Sequence, residues 1–262
     1  MTTWQLTDAD WNSWPDERSD LEIFQQAADL GLAGIELGVY DAAIELAPDR
    51  LVELAEVVEQ TGVPITAVLL SLPAERWRQG ALSGDVDRLV WQVSSCAAVC
   101  RALGLDVLGL WPGADPEGTD IAAALTRCID AADGVRLALE YKPGTAVATA
   151  EQALKLCQQV PGLGVLLDTG HAFAAGEDPA AVVDQLGDLL LHCHLGDAPL
   201  GGDDDDLPCG RLHDFSSFVA ALDASGFSGT ASFDLYGAVS SGALTGAQAV
   251  RESRDHVLSR RL

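Results

Sequence analysis

Positive charge is the scarcest property of this sequence. Its 262 residues include 15 lysines and arginines against 40 aspartates and glutamates, which gives a formal net charge of −25. Proteins bind nucleic acid by neutralising phosphates with basic side chains, and anionic membrane surfaces attract basic segments in the same way. The composition therefore argues against both partners. Only two of the basic residues are lysines, Lys142 and Lys155.

Long apolar runs are also missing. A transmembrane helix needs roughly 18–20 consecutive apolar residues, and the longest runs, such as the one that ends at Leu70, are far shorter. The first residues contain neither the basic region nor the apolar stretch of a signal peptide. The six cysteines are scattered through a long chain, unlike the dense cysteines of a disulfide scaffold. We expect a cytoplasmic protein with reduced cysteines.

What the sequence does contain is a regular alternation of short β-rich runs and longer helical patterns. The predicted strands cover residues 4–6, 34–39, 65–70, 107–111, 136–141, 164–168, 190–195 and 229–235. The predicted helices cover residues 20–30, 48–61, 85–103, 120–132, 149–160, 179–186, 215–224 and 247–260. Eight βα units in series predict a closed (β/α)8 TIM barrel, formed by one domain over residues 1–262. An open doubly wound sheet is the alternative, although no Gly-x-Gly-x-x-Gly turn follows the first strand.

Ionisable residues stand near the ends of four predicted strands, where the active site of such a barrel lies. Because side chains alternate between the two faces of a strand, Glu140, His194 and Asp234 are expected at the inner rim. Strand six adds Asp168. Buried together without partners, three carboxylates would be costly, and the basic residues are too few to pair them all. One divalent ion resolves the conflict, and mixed oxygen and nitrogen ligands suit Mn, Mg, Co or Zn.

At these residues the chain resembles the xylose isomerase-like barrel superfamily of sugar isomerases and epimerases. That group includes tagatose and psicose 3-epimerases, hydroxypyruvate isomerase and inosose dehydratase. The resemblance covers most of the chain, from strand two to strand eight. It is carried by three short motifs and one looser segment, which are Leu139-Glu140, Asp168-x-x-His171, His194-x-x-Asp197 and residues 207–215.

The resemblance implies a metal-dependent isomerase or epimerase. Glu140, Asp168, His194 and Asp234 would be the metal ligands, and His171 would bind a substrate hydroxyl. Acids at the positions of Glu140 and Asp234 would also transfer the proton. The implied substrate is a small ketose, a keto-acid or a polyol-derived ketone, and barrels of this group commonly form homodimers.

The sequence departs from the family pattern in ways that affect the substrate contacts. Strand eight offers Asp234 where the family has glutamate, and Leu200 occupies a position where sugar epimerases have arginine. Other polar or aromatic residues near the strand ends are the candidates to contact substrate, namely Lys142, Trp111, Asp197, Arg211 and His213. Glu36 on strand two is expected to have a structural role rather than to bind substrate. The acidic run at residues 203–206 is expected to be a solvated loop.

Two other functions stay open. A metal-dependent lyase, dehydrating a keto-inositol or eliminating a group from a keto-sugar or glycoside, is compatible with Asp234 because elimination needs an acid and a base in different positions. A sugar-binding barrel without catalysis is the third hypothesis. Endonuclease IV chemistry is disfavoured, because its trinuclear site needs more ligands than five histidines supply and the net charge opposes DNA binding.

Overall fold

Eight parallel strands form the centre of the protein. The computed structural model describes residues 4–71, 86–111 and 120–261. The strands run in chain order around a closed barrel, so β1 pairs with both β2 and β8. Their bounds are β1 Gln5–Ala9, β2 Ile35–Val39, β3 Ile65–Leu70, β4 Val107–Leu110, β5 Arg136–Glu140, β6 Gly164–Asp168, β7 Leu190–Leu195 and β8 Thr230–Phe233. The predicted (β/α)8 barrel is confirmed, and the open sheet is excluded.

Helices surround the barrel, and several begin where the sequence supplies a capping side chain. Ser19 and Glu22 form a capping box at the first helix, while Asp120 and Thr149 cap two later ones. The helices are α1 Asp20–Leu30, α2 Ala42–Glu45, α3 Pro48–Thr61, α4 Val86–Leu103, α5 Ile121–Ala132, α6 Ala150–Gln159, α7 Thr169–Ala174, α8 Pro179–Leu186, α9 Ser216–Ala224, α10 Tyr236–Ser240 and α11 Gly246–Ser259. The start of the predicted helix at 85–103 lies outside the described residues. Within the described part of the chain, no helix combines the length and apolar character that a membrane crossing requires.

The hydrophobic core has two parts. The larger part fills the layer between the strands and the surrounding helices, where Tyr141, Phe24 and Phe233 are fully enclosed. A small cluster lies inside the barrel and includes Leu69 and Leu166. The barrel interior is otherwise unusually polar, because four strands direct buried polar side chains into it: Thr7, Glu36, His192, His194 and Ser232.

The first strand is longer than its sequence predicts. The prediction stopped at residue 6, but β1 continues through Thr7 and Asp8 to Ala9. Pairing with β8 on one side and β2 on the other satisfies the backbone of this polar stretch. A short 3-10 helix, Asp10–Asp16, follows β1 directly and lies over the same end of the barrel as the strand termini.

Asn12, near the start of this 3-10 helix, links the first strand of the barrel to the last. Its amide nitrogen donates to Asp8 Oδ1 at 2.9 Å and to the carbonyl of Phe233 at 2.7 Å. Its amide oxygen accepts from the backbone N–H of Leu235 at 2.8 Å. Asn12 is fully buried, so water cannot replace these bonds. The last of these bonds holds the segment just beyond β8, which ends at Phe233 rather than at the predicted residue 235.

Replacing Asn12 with alanine is expected to lower the free energy of unfolding by roughly 3 kcal/mol, because several buried polar groups lose their partners. Urea unfolding followed by circular dichroism measures the change. The control is Gln25→Ala, which removes an exposed side chain of α1 and should change stability by less than about 0.5 kcal/mol. Equal stability of the two variants would show that Asn12 does not secure the closure.

Candidate metal centre

Four predicted ligands meet at the carboxyl end of the barrel. Glu140, Asp168, His194 and Asp234 each offer one ligand atom, and these four atoms all lie within 4.8 Å of one another. The distances from Nδ1 of His194 are 3.1 Å to Glu140 Oε1, 3.6 Å to Asp234 Oδ2 and 3.8 Å to Asp168 Oδ2. The shorter side chain at position 234 therefore still reaches the group. The arrangement is a compact pocket with three carboxylate oxygens and one imidazole nitrogen.

The chemistry of the pocket fits a divalent cation. Asp168 uses Oδ1 to accept from the backbone N–H of His171 at the start of α7. Its other oxygen, Oδ2, is buried and has no hydrogen-bond partner among the described residues. A buried carboxylate oxygen without a donor is costly unless a cation neutralises it. The Oδ2 atom of Asp168 faces the other ligand atoms, as a metal ligand would.

The pKa values of the three carboxyl groups also show that burying them together opposes their ionisation. Burial raises the pKa of Asp168 and raises that of Asp234 to about 6, and neighbouring carboxylates add to both increases. Burial also opposes ionisation of Glu140, but His194 and His171 hold the pKa of that carboxyl below its ordinary value. Full ionisation of all three acids is thus opposed in the protein alone, and a bound M²⁺ would favour it.

One aromatic and one amide side chain of the 3-10 helix after β1 hold Asp234 in position. The indole N–H of Trp11 donates to Asp234 Oδ1 at 2.9 Å, which leaves Oδ2 for the pocket. Asn12 binds the backbone on both sides of Asp234, at Phe233 and Leu235. Neither residue was among the predicted site residues. The pair of tryptophans shortly after a first strand was the available signal, but the predicted strand ended too early to place them at the rim.

His171 lies beside the ligand cluster in a fixed orientation. Its Nδ1 is 3.0 Å from the carbonyl of Tyr141, and because a carbonyl only accepts, Nδ1 carries the hydrogen. The same Nδ1 is 3.5 Å from Oε1 of Glu140. The other nitrogen, Nε2, faces Asp204 Oδ2 at 3.2 Å. Burial lowers the pKa of His171, but Asp168 and Asp204 outweigh it and raise that pKa to about 9.

The acidic loop does not follow the expectation of a solvated segment. Asp203 and Asp205 are exposed, but Asp204 and Asp206 turn inward. The Asp204 carboxylate lies 2.5 Å from Nζ of Lys142, and its side chain is only 11% exposed. Asp206 adopts a positive φ of 43° and accepts from the N–H of Gly237. The prediction of a solvated loop is wrong for Asp204 and Asp206, because contacts with distant parts of the chain, not the local composition, decide where these two side chains lie.

Three of the predicted substrate contacts, Asp197, Arg211 and His213, make contacts within and around the segment that follows the acidic loop. Asp197 is fully buried and accepts from the N–H groups of Leu212 and His213 and from the His213 ring at 2.7 Å. His213 also stacks on Phe173 with ring centroids 3.9 Å apart. Arg211 forms an exposed ion pair with Glu252. These contacts hold the segment that follows the acidic loop, and a substrate role for the three residues stays a prediction.

One other candidate, Trp111, lies at the end of a strand. Trp111 directly follows β4 and is 3% exposed, so most of its ring is packed within the protein. Leu200, where an arginine was noted as missing, is 64% exposed. Among the predicted substrate contacts, His171 lies next to the ligand Glu140, and Lys142 is joined to His171 through Asp204.

Comparison with known proteins identifies the family. A family model described as a xylose isomerase-like TIM barrel matches residues 24–260. The chain belongs to this family. The resemblance carried by the short sequence motifs is thereby confirmed. Among curated proteins, no significant match to this chain is found.

Solved structures of similar shape are numerous. The IolI protein with a zinc atom is 22% identical, with a TM-score of 0.74 over 98% of this chain and 97% of that chain. The D-allulose 3-epimerase from Methylomonas sp. in complex with D-allulose is 19% identical, with a TM-score of 0.76 over 100% and 98% of the two chains. The D-psicose 3-epimerase from Clostridium cellulolyticum H10 with D-tagatose is 17% identical, with a TM-score of 0.76 over 98% of each chain. At these identities the likeness establishes the shared fold.

The purified protein is expected to bind one divalent ion. Asp168→Asn is expected to weaken this binding by more than the roughly 10–100-fold that is typical when a residue that hydrogen-bonds to a metal ligand is replaced. Titration calorimetry with Zn²⁺ and Mn²⁺ measures the dissociation constants. The matched control is Asp188→Asn, because Asp188 is an exposed acid before β7 at the opposite end of the barrel. Equal affinities of the two variants would contradict the assignment of Asp168.

Proposed function

We propose that this protein is a divalent-metal-dependent isomerase or epimerase of a small ketose or polyol-derived ketone. The observation that carries the proposal is the four-ligand pocket with the unpartnered Asp168 oxygen, at the end of the barrel where this fold places its active sites. The sugar epimerases among the similar structures support the choice of substrate class. We propose Glu140, Asp168, His194 and Asp234 as the ligands, and the sequence does not choose the metal.

A divalent ion bound in this pocket would polarise a carbonyl and its neighbouring hydroxyl and so acidify the C–H between them. Glu140 and Asp234 are the candidates to move that proton. They come from β5 and β8, which are separated by β6 and β7 on one side of the closed barrel. A flat enediol held between them would expose one face to each carboxylate. Return of the proton from the second face would give an epimer.

The predicted substrate contacts complete this proposal. The Tyr141 carbonyl accepts from Nδ1 of His171, and the raised pKa of about 9 keeps the ring protonated at neutral pH, so Nε2 also carries a hydrogen and would donate to a substrate oxygen. Lys142, two residues after the end of β5 at Glu140, adds a second donor. Asp204 now contacts both donors, at 3.2 and 2.5 Å. A substrate oxygen that binds to them must displace or share this carboxylate.

A metal-dependent lyase is the second candidate, and the hydrogen bond from Trp11 favours it. Because the indole donates to Oδ1 of Asp234 and Oδ2 faces the ligand cluster, Asp234 is less available for proton transfer than Glu140. Elimination of a β-hydroxyl needs one base and one acid, which Glu140 and His171 could supply without Asp234. Epimerisation needs a base on one face of the substrate and an acid on the other, so it depends on Asp234.

Deuterium incorporation from D₂O tests the proposal. The metal-loaded protein is expected to exchange the proton next to the carbonyl of at least one ketose or keto-inositol, and Glu140→Gln is expected to slow exchange by roughly 10²–10⁴-fold because it lacks a base. Mass spectrometry measures the exchange. Glu177→Gln is the control, since Glu177 caps α6 through the N–H of Ala150.

The products separate the two candidate reactions. Deuterium in a pair of epimers or isomers supports the isomerase, and loss of water or of an aglycone without scrambling supports the lyase. Metal content is measured for Glu140→Gln, because the same residue is a proposed ligand. A metal-loaded protein that exchanges no proton and releases neither water nor an aglycone across the panel would contradict both reactions and leave the sugar-binding hypothesis.

Asp204→Asn is expected to lower KM by a few-fold to about tenfold while kcat changes less, because the variant competes less strongly for Lys142 and His171. Steady-state kinetics on the substrate identified by exchange measures both constants. Asp203→Asn removes an exposed acid of the same loop and should leave KM unchanged. A higher KM in Asp204→Asn would instead mean that Asp204 itself binds the substrate.

A further inference from the structure

We propose that Glu36 is the positioning residue for His194: it binds Nε2 of the imidazole and so directs Nδ1 into the metal pocket. His192 in turn holds Glu36 in place. The three residues lie on β2 and β7, inside the barrel, and His192 stands two positions before His194 on the same face of β7. The inference rests on the proposed ligand set, because His194 must be a ligand for its orientation to matter.

The hydrogen bonds determine which nitrogen of His194 keeps its hydrogen when a metal binds. Oε2 of Glu36 is 2.8 Å from Nε2 of His192 and 3.2 Å from Nε2 of His194. A carboxylate oxygen only accepts, so both Nε2 atoms are donors. Nδ1 of His194 is likewise 3.1 Å from Oε1 of Glu140, so the metal-free ring donates from both nitrogens. A metal in the pocket would displace the hydrogen on Nδ1, and Glu36 would keep the one on Nε2. Metal ligation by histidine needs this tautomer, fixed by an acceptor on the far nitrogen.

His192 is fixed in the same way from its other side. Its Nδ1 lies 3.0 Å from the hydroxyl of Thr230, which donates to it when Nε2 carries the hydrogen. A chain of contacts therefore runs from Thr230 through His192 to Glu36 and on to His194. Each of the last three residues is buried, with Glu36 and His194 fully enclosed. The orientation of His194 is set by neighbours that cannot rearrange into solvent.

The location of Glu36 argues against a purely packing role. The interior layers of such barrels are usually filled by branched aliphatic side chains. Glu36 instead places a carboxylate there, and its Oε1 is buried with no hydrogen-bond partner among the described residues. A half-satisfied buried acid costs stability that an apolar side chain would not. The benefit of the charge is to orient His194 and to increase the basicity of its free nitrogen.

The test compares metal affinity and fold stability in the same variants. Glu36→Gln keeps the size of the side chain and removes the charge, and we expect its dissociation constant for Zn²⁺ to rise by about 10–100-fold. His192→Gln, one contact further away, is expected to change affinity in the same direction by less. Glu177→Gln is the matched control, with unchanged affinity. Calorimetry gives the constants, and thermal unfolding of the metal-free proteins reports any loss of fold.

A Glu36→Gln protein with altered stability but wild-type metal affinity would show a merely structural residue and overturn the proposal. Nitrogen-15 NMR of the zinc-loaded wild-type protein gives an answer even if a variant does not fold. We expect His194 to carry hydrogen on Nε2 and to bind zinc through Nδ1, and the reverse assignment would also overturn the proposal.

The outcomes separate this proposal from the proposed function. Tight metal binding that depends on Glu36, without proton exchange on any ketose, would contradict the function and leave the positioning role intact. A wild-type protein that binds no divalent ion would overturn the ligand set and the positioning role together.

Discussion

Mutual repulsion among three carboxylates at one end of the barrel is the constraint on which the site depends. Glu140, Asp168 and Asp234 come within ligand distance of His194 in a protein with only two lysines. Lys142 is held by Asp204, so it cannot fully neutralise the cluster. The surrounding contacts limit the repulsion in part: Trp11 donates to one oxygen of Asp234, and the start of α7 donates to one oxygen of Asp168. The remaining oxygens face inward, toward the space that a cation would occupy.

The polar residues inside the barrel are ordered along its axis. At the mouth, Asp204 contacts Lys142 and His171, which we propose as donors to substrate. The ligand cluster lies next to them, and Glu36 lies on the opposite side of the His194 ring. His194 is thus contacted by carboxylates through both nitrogens, and burial of its ring is outweighed by Glu36 and Glu140, which raise its pKa well above the ordinary value. One imidazole therefore joins the site to the interior of the barrel.

The sequence predicted the features that depend on strand periodicity. Glu140 and His194 stand on the inward face of short apolar strands, so their convergence follows from alternation alone once the barrel is assumed. Trp11 and Asp204 could not be predicted in this way. Trp11 reaches the rim because the polar stretch after Leu6 becomes strand by pairing with β8, which lies more than 220 residues further on. Asp204 turns inward to Lys142 and His171, in a loop closed by an antiparallel bridge between Asp197 and Leu207, and no local pattern encodes these contacts.

The pairing of β1 with β8 has a consequence for the order in which the protein assembles on the ribosome. Trp11 and Asn12 are synthesised more than 220 residues before the groups they bind, on Asp234, Phe233 and Leu235. Until β8 is made, the nascent chain exposes the unpaired edge of β1 and lacks Asp234. Barrel closure therefore waits for β8, and a nascent chain that captures an ion before then would do so without its fourth proposed ligand.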